Sequence, residues 1–361
     1  MYIKKIELKN FRNYENLELE FNEKANFIIG NNAQGKTNLL EGIFMSSVGK
    51  SFRTSKDSEM IGFDKDFSKI KVTAHKDLFP IEVDITLKKD AGKFIKVDGV
   101  NISKTSDLLE NVYIVIFSPE DLKIVKDEPE KRRRFIDREL CIIKPSYYDS
   151  FFNYKKVLLQ RNTYIKEKSI DKSVLDIWDM QLAKYGAKII SMRYDFIQKI
   201  DKLSNEIHKS ITNGKENLRI EYDPNIKMAD ELEKTVYEAI KNSYSNDLRL
   251  RTTTKGPHRD DIQFYIDNVN VRSFGSQGQQ RTTALSLKLA ELNIIKEETG
   301  ESAILLLDDV MSELDSTRQE FLIKTLSDIQ LFITTTEITQ NLKDAVSKGN
   351  IYTIEKGKVK L

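Results

Sequence analysis

The segment GNNAQGKT, at residues 30–37, has the residue types and the spacing of a phosphate-binding loop. It fits the pattern G-x-x-x-x-G-K-[ST], in which consecutive backbone N–H groups surround phosphate oxygens at the start of a helix. In this pattern Lys36 contacts the β- and γ-phosphates and supports catalysis, and the Thr37 hydroxyl coordinates Mg²⁺. We therefore predict a nucleoside triphosphate site formed by Gly30, Asn31, Asn32, Ala33, Gln34, Gly35, Lys36 and Thr37.

A second stretch, AILLLDDV at residues 303–310, is apolar until it reaches two carboxylates. In proteins with a phosphate loop, such a strand ends beside the loop, and its terminal aspartate helps to hold Mg²⁺. Asp308 fits that metal-binding role. Asp309 is then placed to orient or deprotonate the attacking water. The alternative interpretation is a pair of solvated acids that cap the next element.

A third stretch, FGSQGQQRT at residues 274–282, carries two glycines and three glutamines where an apolar-periodic helix begins. During hydrolysis, charge spreads over the equatorial oxygens of the γ-phosphate, so donors are also needed on the side away from the phosphate loop. A hydroxyl, unobstructed N–H groups and a helix start are suitable donors. We predict that Ser276, Gln277, Gly278 and Gln279 contact nucleotide, although the sequence does not tell whether they meet residues 30–37 within one chain.

The elements around these stretches have the order that such chemistry requires. A short strand at 26–29 precedes the phosphate loop, and an apolar-faced helix at 36–47 follows it. Alternation with period two predicts antiparallel strands between residues 69 and 97. Apolar residues spaced by threes and fours from Leu182 to Ile211 predict one long amphipathic helix.

Further patterns complete the predicted architecture. Strands are expected at 112–117, 248–252, 262–266, 303–307 and 331–333, and a helix at 317–326. The ends of the chain are strand-rich, and the middle has helical periodicity with few turn signals. We predict an α/β fold: a P-loop ATPase head of ABC type, with a mixed sheet and an antiparallel β lobe, plus an inserted all-helical domain. The predicted domains are an N-terminal head segment at residues 1–128, the helical insertion at residues 129–245 and a C-terminal head segment at residues 246–361.

Composition places few further limits on function. The net charge of 361 residues is only +2, so any basic surface must be local. Cys141 is the single cysteine, which excludes internal disulfides and a cysteine-based zinc site. The longest apolar runs are too short to span a bilayer, and the first residues alternate charged and apolar types instead of forming a signal peptide. We expect a cytoplasmic globular protein with no membrane partner.

The motifs taken together resemble a known family. FGSQGQQRT, LLLDDVMSELD and FITTTE look like the ABC-type ATPase heads. With NFRNY, GNNAQGKTNLLEGI, GKSFRT, FSPEDL, EKRRRFID and KGPHRDD, the resemblance narrows to the RecF family of bacterial recombination mediators and extends over nearly the whole chain. It implies an SMC-like head that binds ATP and Mg²⁺, dimerises with ATP, and clamps DNA at gaps or at junctions of single and double strands.

The resemblance also implies partners and roles for residues. Each composite site takes residues 30–37, Asp308 and Asp309 from one copy and residues 276–279 from another. Weak, DNA-stimulated hydrolysis releases the dimer, which works with the mediator RecR to load recombinase during replication restart and the SOS response. Arg12, in NFRNY, stands where related heads place a basic residue near the phosphates; a solvated charge at a strand turn is the alternative.

Several positions depart from the pattern of related heads. Gln277 replaces a glycine of the usual signature, and Phe274-Gly275 precede the serine. Asp309 stands where many relatives have glutamate, and its shorter side chain predicts slow turnover. Transporters carry a γ-phosphate-sensing histidine where this chain has FITTTE, so Thr335 or Thr336 is predicted to supply a hydroxyl contact instead.

Two surfaces compete as the expected DNA contact. Residues 131–168 contain eleven Lys/Arg and four Asp/Glu, an excess of seven positive charges, interleaved with aromatic residues. The alternative for this segment is a solvated face over a core of aromatic side chains, and the second candidate surface contains Lys50, Arg53 and Lys56. Other functions compatible with a phosphate loop are the nucleotide-binding subunit of an ABC transporter, an SMC head without its long heptad region, and a small-molecule kinase.

Overall fold

The computed structural model describes residues 1–76, 79–104, 106–167, 169–315, 318–319, 321–322, 326, 328–337 and 349–360. The chain forms two compact units, and each is described by itself. The first unit comprises Met1–Asp121 and Glu291–Leu361, and the second comprises Leu122–Ala290.

The chain contains both strands and helices, which are named here in chain order. The strands are β1 (Tyr2–Phe11), β2 (Tyr14–Glu20), β3 (Ala25–Ile29), β4 (Phe67–Lys76), β5 (Phe79–Lys88), β6 (Gly92–Val97), β7 (Val100–Asn101), β8 (Ile114–Phe117), β9 (Leu218–Asp223), β10 (Asp261–Ile266), β11 (Val269–Asn270), β12 (Ile304–Leu307), β13 (Leu331–Thr335), β14 (Asn350–Glu355) and β15 (Lys358–Lys360). The helices are α1 (Lys36–Val48), α2 (Ser106–Leu109), α3 (Leu122–Lys126), α4 (Pro129–Ile143), α5 (Pro145–Tyr164), α6 (Lys172–Thr212), α7 (Leu232–Asn242), α8 (Tyr244–Leu250), α9 (Val271–Phe274) and α10 (Gln277–Thr299).

The first unit contains an antiparallel sheet in the strand order β2-β1-β4-β5-β6-β7. Its alternating residues place one apolar face inside, because side chains of neighbouring residues point to opposite faces of a strand. Ile6 pairs with Val72, and Val72 pairs with Val83; all three side chains are fully buried. This confirms the strands predicted between residues 69 and 97.

The same unit contains a second sheet in the order β15-β14-β3-β13-β12-β8. Strands β14, β3, β13, β12 and β8 are parallel, and only the β14–β15 pair is antiparallel. The apolar runs of β3, β13, β12 and β8 are buried on both faces, as expected for parallel strands, whereas β14 buries only Tyr352 and Ile354. Because β3 and β12 are both parallel to β13, which lies between them, all three strands end at the same edge of the sheet. The residues that follow β3 and β12 therefore lie at the edge where ligands of open α/β sheets bind.

The second unit combines helices with a small sheet. Helix α6 is 41 residues long, begins at an Asp171 cap that accepts from Ser173 N–H, and ends at Asn213 in the left-handed region. It confirms the predicted long amphipathic helix and packs against α5, α7 and β9. Strands β11, β10 and β9 form an antiparallel sheet.

Several expectations need correction. Residues 129–245 are not entirely helical, because β9 lies among them and pairs with β10. The strand predicted at 248–252 is wrong: most of it belongs to α8, which ends where Arg251 takes a φ of 54°. A short apolar alternation cannot distinguish the two structures. Half of the residues of the helix predicted at 317–326 lie outside the described residues.

The predicted boundaries at 128/129 and 245/246 remain a prediction. The second compact unit is longer at both ends, since α3 packs on α4, and β10 pairs with β9. Within the described residues, no helix combines the length and the apolar character needed to cross a bilayer.

Candidate nucleotide site and signature loop

The phosphate loop connects β3 to α1, as its sequence pattern predicts. Gly30 N–H donates to Thr335 O on β13, 3.3 Å away. Lys36 is buried, and its Nζ donates to Gly30 O at 2.7 Å and to Asn31 O at 3.4 Å. The ammonium group therefore lies in the curve of the loop, where phosphate oxygens are expected to replace the carbonyls as its partners.

Two glycines of the loop have no room for a side chain. A Cβ on Gly30 would lie 2.5 Å from Ile354 O. Gly35 has a φ of 120°, and a Cβ there would lie 2.7 Å from Asn13 Nδ2. Both positions require glycine because the loop runs close to neighbouring chain segments. Asn31, Asn32 and Ala33 are exposed between them, with Ala33 in the left-handed region at φ 64°.

Asp308 and Thr37, the two predicted Mg²⁺ ligands, are in contact. Thr37 Oγ1 donates to Asp308 Oδ1 at 3.0 Å, and Thr334 Oγ1 donates to the same oxygen at 2.9 Å. Asp308 directly follows β12, and burial raises the pKa of its carboxyl group, partly opposed by the two hydroxyl hydrogen bonds. The structure thus brings together the carboxylate and the hydroxyl that a Mg²⁺–nucleotide complex uses.

Asp309 has a different environment from its neighbour. Its side chain is 39% exposed, and Oδ1 lies 3.8 Å from Lys36 Nζ. Its backbone takes a φ of 52°, and its N–H donates to Thr334 Oγ1 at 2.8 Å. Thr334 therefore contacts both acids. The γ-phosphate contact expected of Thr335 or Thr336 stays a prediction. Thr335 Oγ1 donates to Glu337 O.

Arg12 is tied to the helix that follows the phosphate loop. Its Nε and Nη2 donate to the two carboxylate oxygens of Glu41, at 2.8 and 2.7 Å. Glu41 is fully buried on α1, so this bidentate pair compensates its charge. Arg12 as a phosphate ligand remains a prediction. Neighbouring residues of NFRNY contact the loop directly: Asn13 Nδ2 donates to Gln34 O, and Tyr14 OH donates to Gly35 O.

The signature loop, residues 274–279, belongs to the second unit. Ser276 Oγ accepts from Gln279 N–H at 3.2 Å, and Gln279 Oε1 accepts from Ser276 N–H at 2.9 Å. This reciprocal pair is a capping box for α10. It uses two of the N–H groups expected to bind anions. Ser276, Gln277 and Gly278 are exposed, and so is Phe274.

Part of the basic segment 131–168 is turned inward. Arg132 is 1% exposed and forms a bidentate pair with Asp261, and Arg161 is fully buried between Asp179 and Asp247. Tyr147 and Tyr154 are buried. Aspartates from other regions of the unit therefore neutralise these two arginines. Other basic residues of the segment remain exposed: Lys131, Arg134, Lys155, Lys156 and Lys166.

A buried ionic network fixes the KGPHRDD segment and was missed by sequence reasoning. Arg193, on α6, donates to Asp137, to Asp260 and to Pro257 O. Burial lowers the pKa of His258 to about 4, so this histidine is neutral near pH 7. The motif's unusual density of charged residues was the available signal, but their partners lie far away in sequence.

The fold and the loop together define a P-loop ATPase head of the kind found in RecF, RecN and SMC proteins. A model of the RecF/RecN/SMC N-terminal domain matches residues 2–360. An SMC head domain of Pyrococcus furiosus has a TM-score of 0.57 over 99% of this chain and 95% of its own, at 16% identity, and thus shares the fold.

Within that class the similarity is much closer to one group. The DNA replication and repair protein RecF of Lachnospira eligens is 45% identical over 364 residues, and that of Clostridium perfringens (strain SM101 / Type A) is 42% identical over 359 residues; each match covers 99% of both chains. A solved structure of the recombination mediator protein RecF-ATP in the RecFOR pathway has a TM-score of 0.93 at 37% identity, covering 99% of this chain and 97% of its own. The chain belongs to the RecF family.

Proposed function

We propose that this chain is an ATP-dependent DNA-binding protein of recombinational DNA repair. Two copies close around ATP and clamp DNA at gaps or at junctions of single and double strands. The support is membership of the RecF family, full-length similarity to RecF proteins named for DNA replication and repair, and similarity to a RecF-ATP structure. ATP serves mainly to switch the protein from monomer to dimer, and the dimer binds DNA.

One observation carries the two-copy arrangement. The phosphate loop, Lys36 and the Asp308–Thr37 contact form a half-site, whereas the signature loop is exposed and already ordered by its capping box. In that box the Ser276 hydroxyl accepts a hydrogen bond, so its own proton stays available as a donor to a phosphate oxygen. We infer that residues 276–279 of one copy cover the γ-phosphate held by residues 30–37, Asp308 and Asp309 of another.

The residues fit a bound Mg²⁺ ion. Thr37 and Asp308 present a hydroxyl and a carboxylate oxygen 3.0 Å apart, which are the oxygen ligands that Mg²⁺ takes together with phosphates. When bound, the ion neutralises phosphate charge. Thr334 holds Asp308 in place, and Lys36 supplies the protein's cation.

Hydrolysis is proposed to be slow and to be stimulated by DNA. Asp309 orients the attacking water, but as an aspartate it reaches less far than the glutamate of related heads. Its carboxylate faces Lys36 across 3.8 Å. We propose that bound phosphates draw the Lys36 ammonium away from Asp309, which leaves this carboxylate free to orient water.

The cellular role follows from the family. The clamp is proposed to work in the cytoplasm with the recombination mediator RecR, promoting recombinase loading during replication restart and the SOS response. The RecF-ATP relative acts in the RecFOR pathway, which supports a mediator partner. Two surfaces remain candidates for DNA contact: the dimer surface that includes Lys50, Arg53 and Lys56, and the exposed basic residues of segment 131–168.

Analytical sedimentation tests the proposal. The protein is run with no nucleotide, with ADP and with ATP, each with and without gapped duplex DNA. We expect monomers without ATP, dimers with ATP, and dimer–DNA complexes whose affinity falls steeply with salt because phosphate contacts release counterions. Monomers under all conditions would contradict the clamp.

A further inference from the structure

Glu216 connects the signature loop to the interior of the second unit. It lies in the turn between α6 and β9, and its side chain is 25% exposed. Oε1 accepts from Gln279 Nε2 at 3.0 Å, and Oε2 lies 3.1 Å from Nε2 of the fully buried His208. One carboxylate therefore contacts the exposed loop on one side and the core on the other.

The contact with Glu216 fixes the orientation of the Gln279 amide. Its oxygen accepts from Ser276 N–H, and its nitrogen donates to Glu216. A carboxylate can only accept and a backbone N–H can only donate, so turning the amide over would break both bonds. Without the carboxylate, the side chain of Gln279 loses this constraint, and the bond to Ser276 N–H competes with water.

The interior contact keeps Glu216 itself in place. Nδ1 of His208 lies 3.2 Å from Ser286 Oγ, and Ser286 Oγ donates to Thr282 O on the same helix α10. The carboxylate is thus anchored, through His208, to the helix whose first turn it orders. The position of Glu216 is therefore set by buried residues and not by the exposed loop.

We propose that Glu216 is a positioning residue for the signature loop. By holding the Gln279 amide, it keeps the Ser276 backbone and hydroxyl in the geometry that presents the hydroxyl proton to a γ-phosphate bound by another copy. This inference rests on the proposed ATP-induced dimer, and it assigns to Glu216 no contact with nucleotide.

Substitutions at this position give distinct expected results. Glu216→Ala raises the protein concentration needed for half-maximal ATP-dependent dimerisation about tenfold, the effect of losing one charge-assisted hydrogen bond. ATP affinity of the monomer stays unchanged, since the phosphate loop is intact. Glu216→Gln restores most dimerisation, because its amide oxygen can still accept from Gln279. Glu221→Ala, an exposed carboxylate on β9, is the matched control and behaves like the wild type.

A double-mutant cycle separates positioning from loss of structure. If Glu216 acts through Gln279, adding Glu216→Ala to Gln279→Ala changes dimerisation by less than about twofold, whereas independent effects would multiply. Multiplying effects, or a Glu216→Ala protein that dimerises like the wild type, would overturn the inference. A wild type that never dimerises with ATP would contradict the proposed function instead.

Amide hydrogen exchange tests the inference without any dimer. In the ATP-free monomer, Glu216→Ala is expected to speed exchange at Ser276 and Gln279 about tenfold, because local opening of the capping box becomes easier. Exchange in the middle of α6 stays the same. Unchanged exchange at the two loop amides would overturn the positioning role even if the clamp proposal had already failed.

Discussion

The phosphate loop and the signature loop both place donors at the start of a helix, yet they are stabilised differently. The phosphate loop is held by segments distant in sequence: Thr335, Asn13 and Tyr14 all bond to its backbone. The signature loop is held by its own capping box and by one carboxylate, Glu216. The phosphate loop is therefore fixed by distant segments, and the signature loop is fixed mainly by its own residues.

This difference indicates which loop is complete before ATP arrives. The cation of the phosphate loop is buried and paired, so the free energy of ordering it is supplied by folding. The signature loop leaves Ser276 and Gly278 exposed, as expected for groups that another molecule covers. Pre-organised donors are worth more in a closed, dry site than in water. Substitutions in the phosphate loop should therefore impair ATP binding, and substitutions in the signature loop should impair dimerisation.

The largest expected effect comes from Lys36→Met. In the proposed site its ammonium contacts the β- and γ-phosphates, and two such contacts together contribute about 4 kcal/mol. ATP affinity should therefore fall about 1000-fold, and dimers should disappear with it. Isothermal titration with ATP measures the first effect and sedimentation the second. Lys24→Met, at an exposed lysine of the same unit, serves as the control. If Lys36→Met kept the ATP affinity of the wild type, the phosphate loop could not be the ATP-binding site.

Ser276→Arg should separate the two loops. The arginine side chain is much larger than the serine hydroxyl and would keep the signature loop away from the γ-phosphate. Overpacking of a closed interface costs about 3 kcal/mol, so dimerisation should weaken about 100-fold. ATP binding by the monomer should be unchanged. Ser273→Arg, three residues earlier and also exposed, is the matched control. Equal dimerisation of Ser276→Arg and the wild type would refute the shared site.

Asp309→Asn should affect only turnover. Removing a general base costs about 100-fold in rate, while the Lys36 contacts with phosphate remain. The variant is therefore expected to bind ATP and to accumulate as ATP-bound dimers. Phosphate release in single-turnover experiments measures the rate, and Asp328→Asn, an exposed aspartate, is the control. Unchanged turnover would assign the base to another residue.

The phosphate loop could be predicted because its information is local. The eight residues 30–37 predict a loop with a strand before it and a helix after it. The structure has β3, the loop and α1 in that order. The contact of Asp308 with Thr334 could not be predicted in the same way. FITTTE offers three adjacent hydroxyls, and only the pairing of β13 with β3 and β12 places Thr334 beside Asp308.

The basic segment shows the same limit of sequence reasoning. Counting charge between residues 131 and 168 records the arginines but not their partners. Arg132 pairs with Asp261, 129 residues away, and Arg161 with Asp247, 86 residues away. Glu216 carries no motif at all, since its role depends on how α6 and α10 pack. Sequence patterns therefore reveal groups that act alone, and they miss groups whose role depends on a distant partner.

Gln34→Ala gives the smallest effect and tests how far distant contacts stabilise the phosphate loop. Gln34 Oε1 accepts from Lys356 N–H at 2.7 Å, while its backbone oxygen accepts from Asn13 and Gly357 and is unaffected by the substitution. The lost bond lies at an exposed turn where water can replace it, so ATP affinity should fall only about twofold, or roughly 0.5 kcal/mol. Gln198→Ala, at an exposed glutamine on α6, is the control for titrations run in parallel. A tenfold loss would mean that the β14–β15 turn, and not the local loop pattern, determines the shape of the phosphate site.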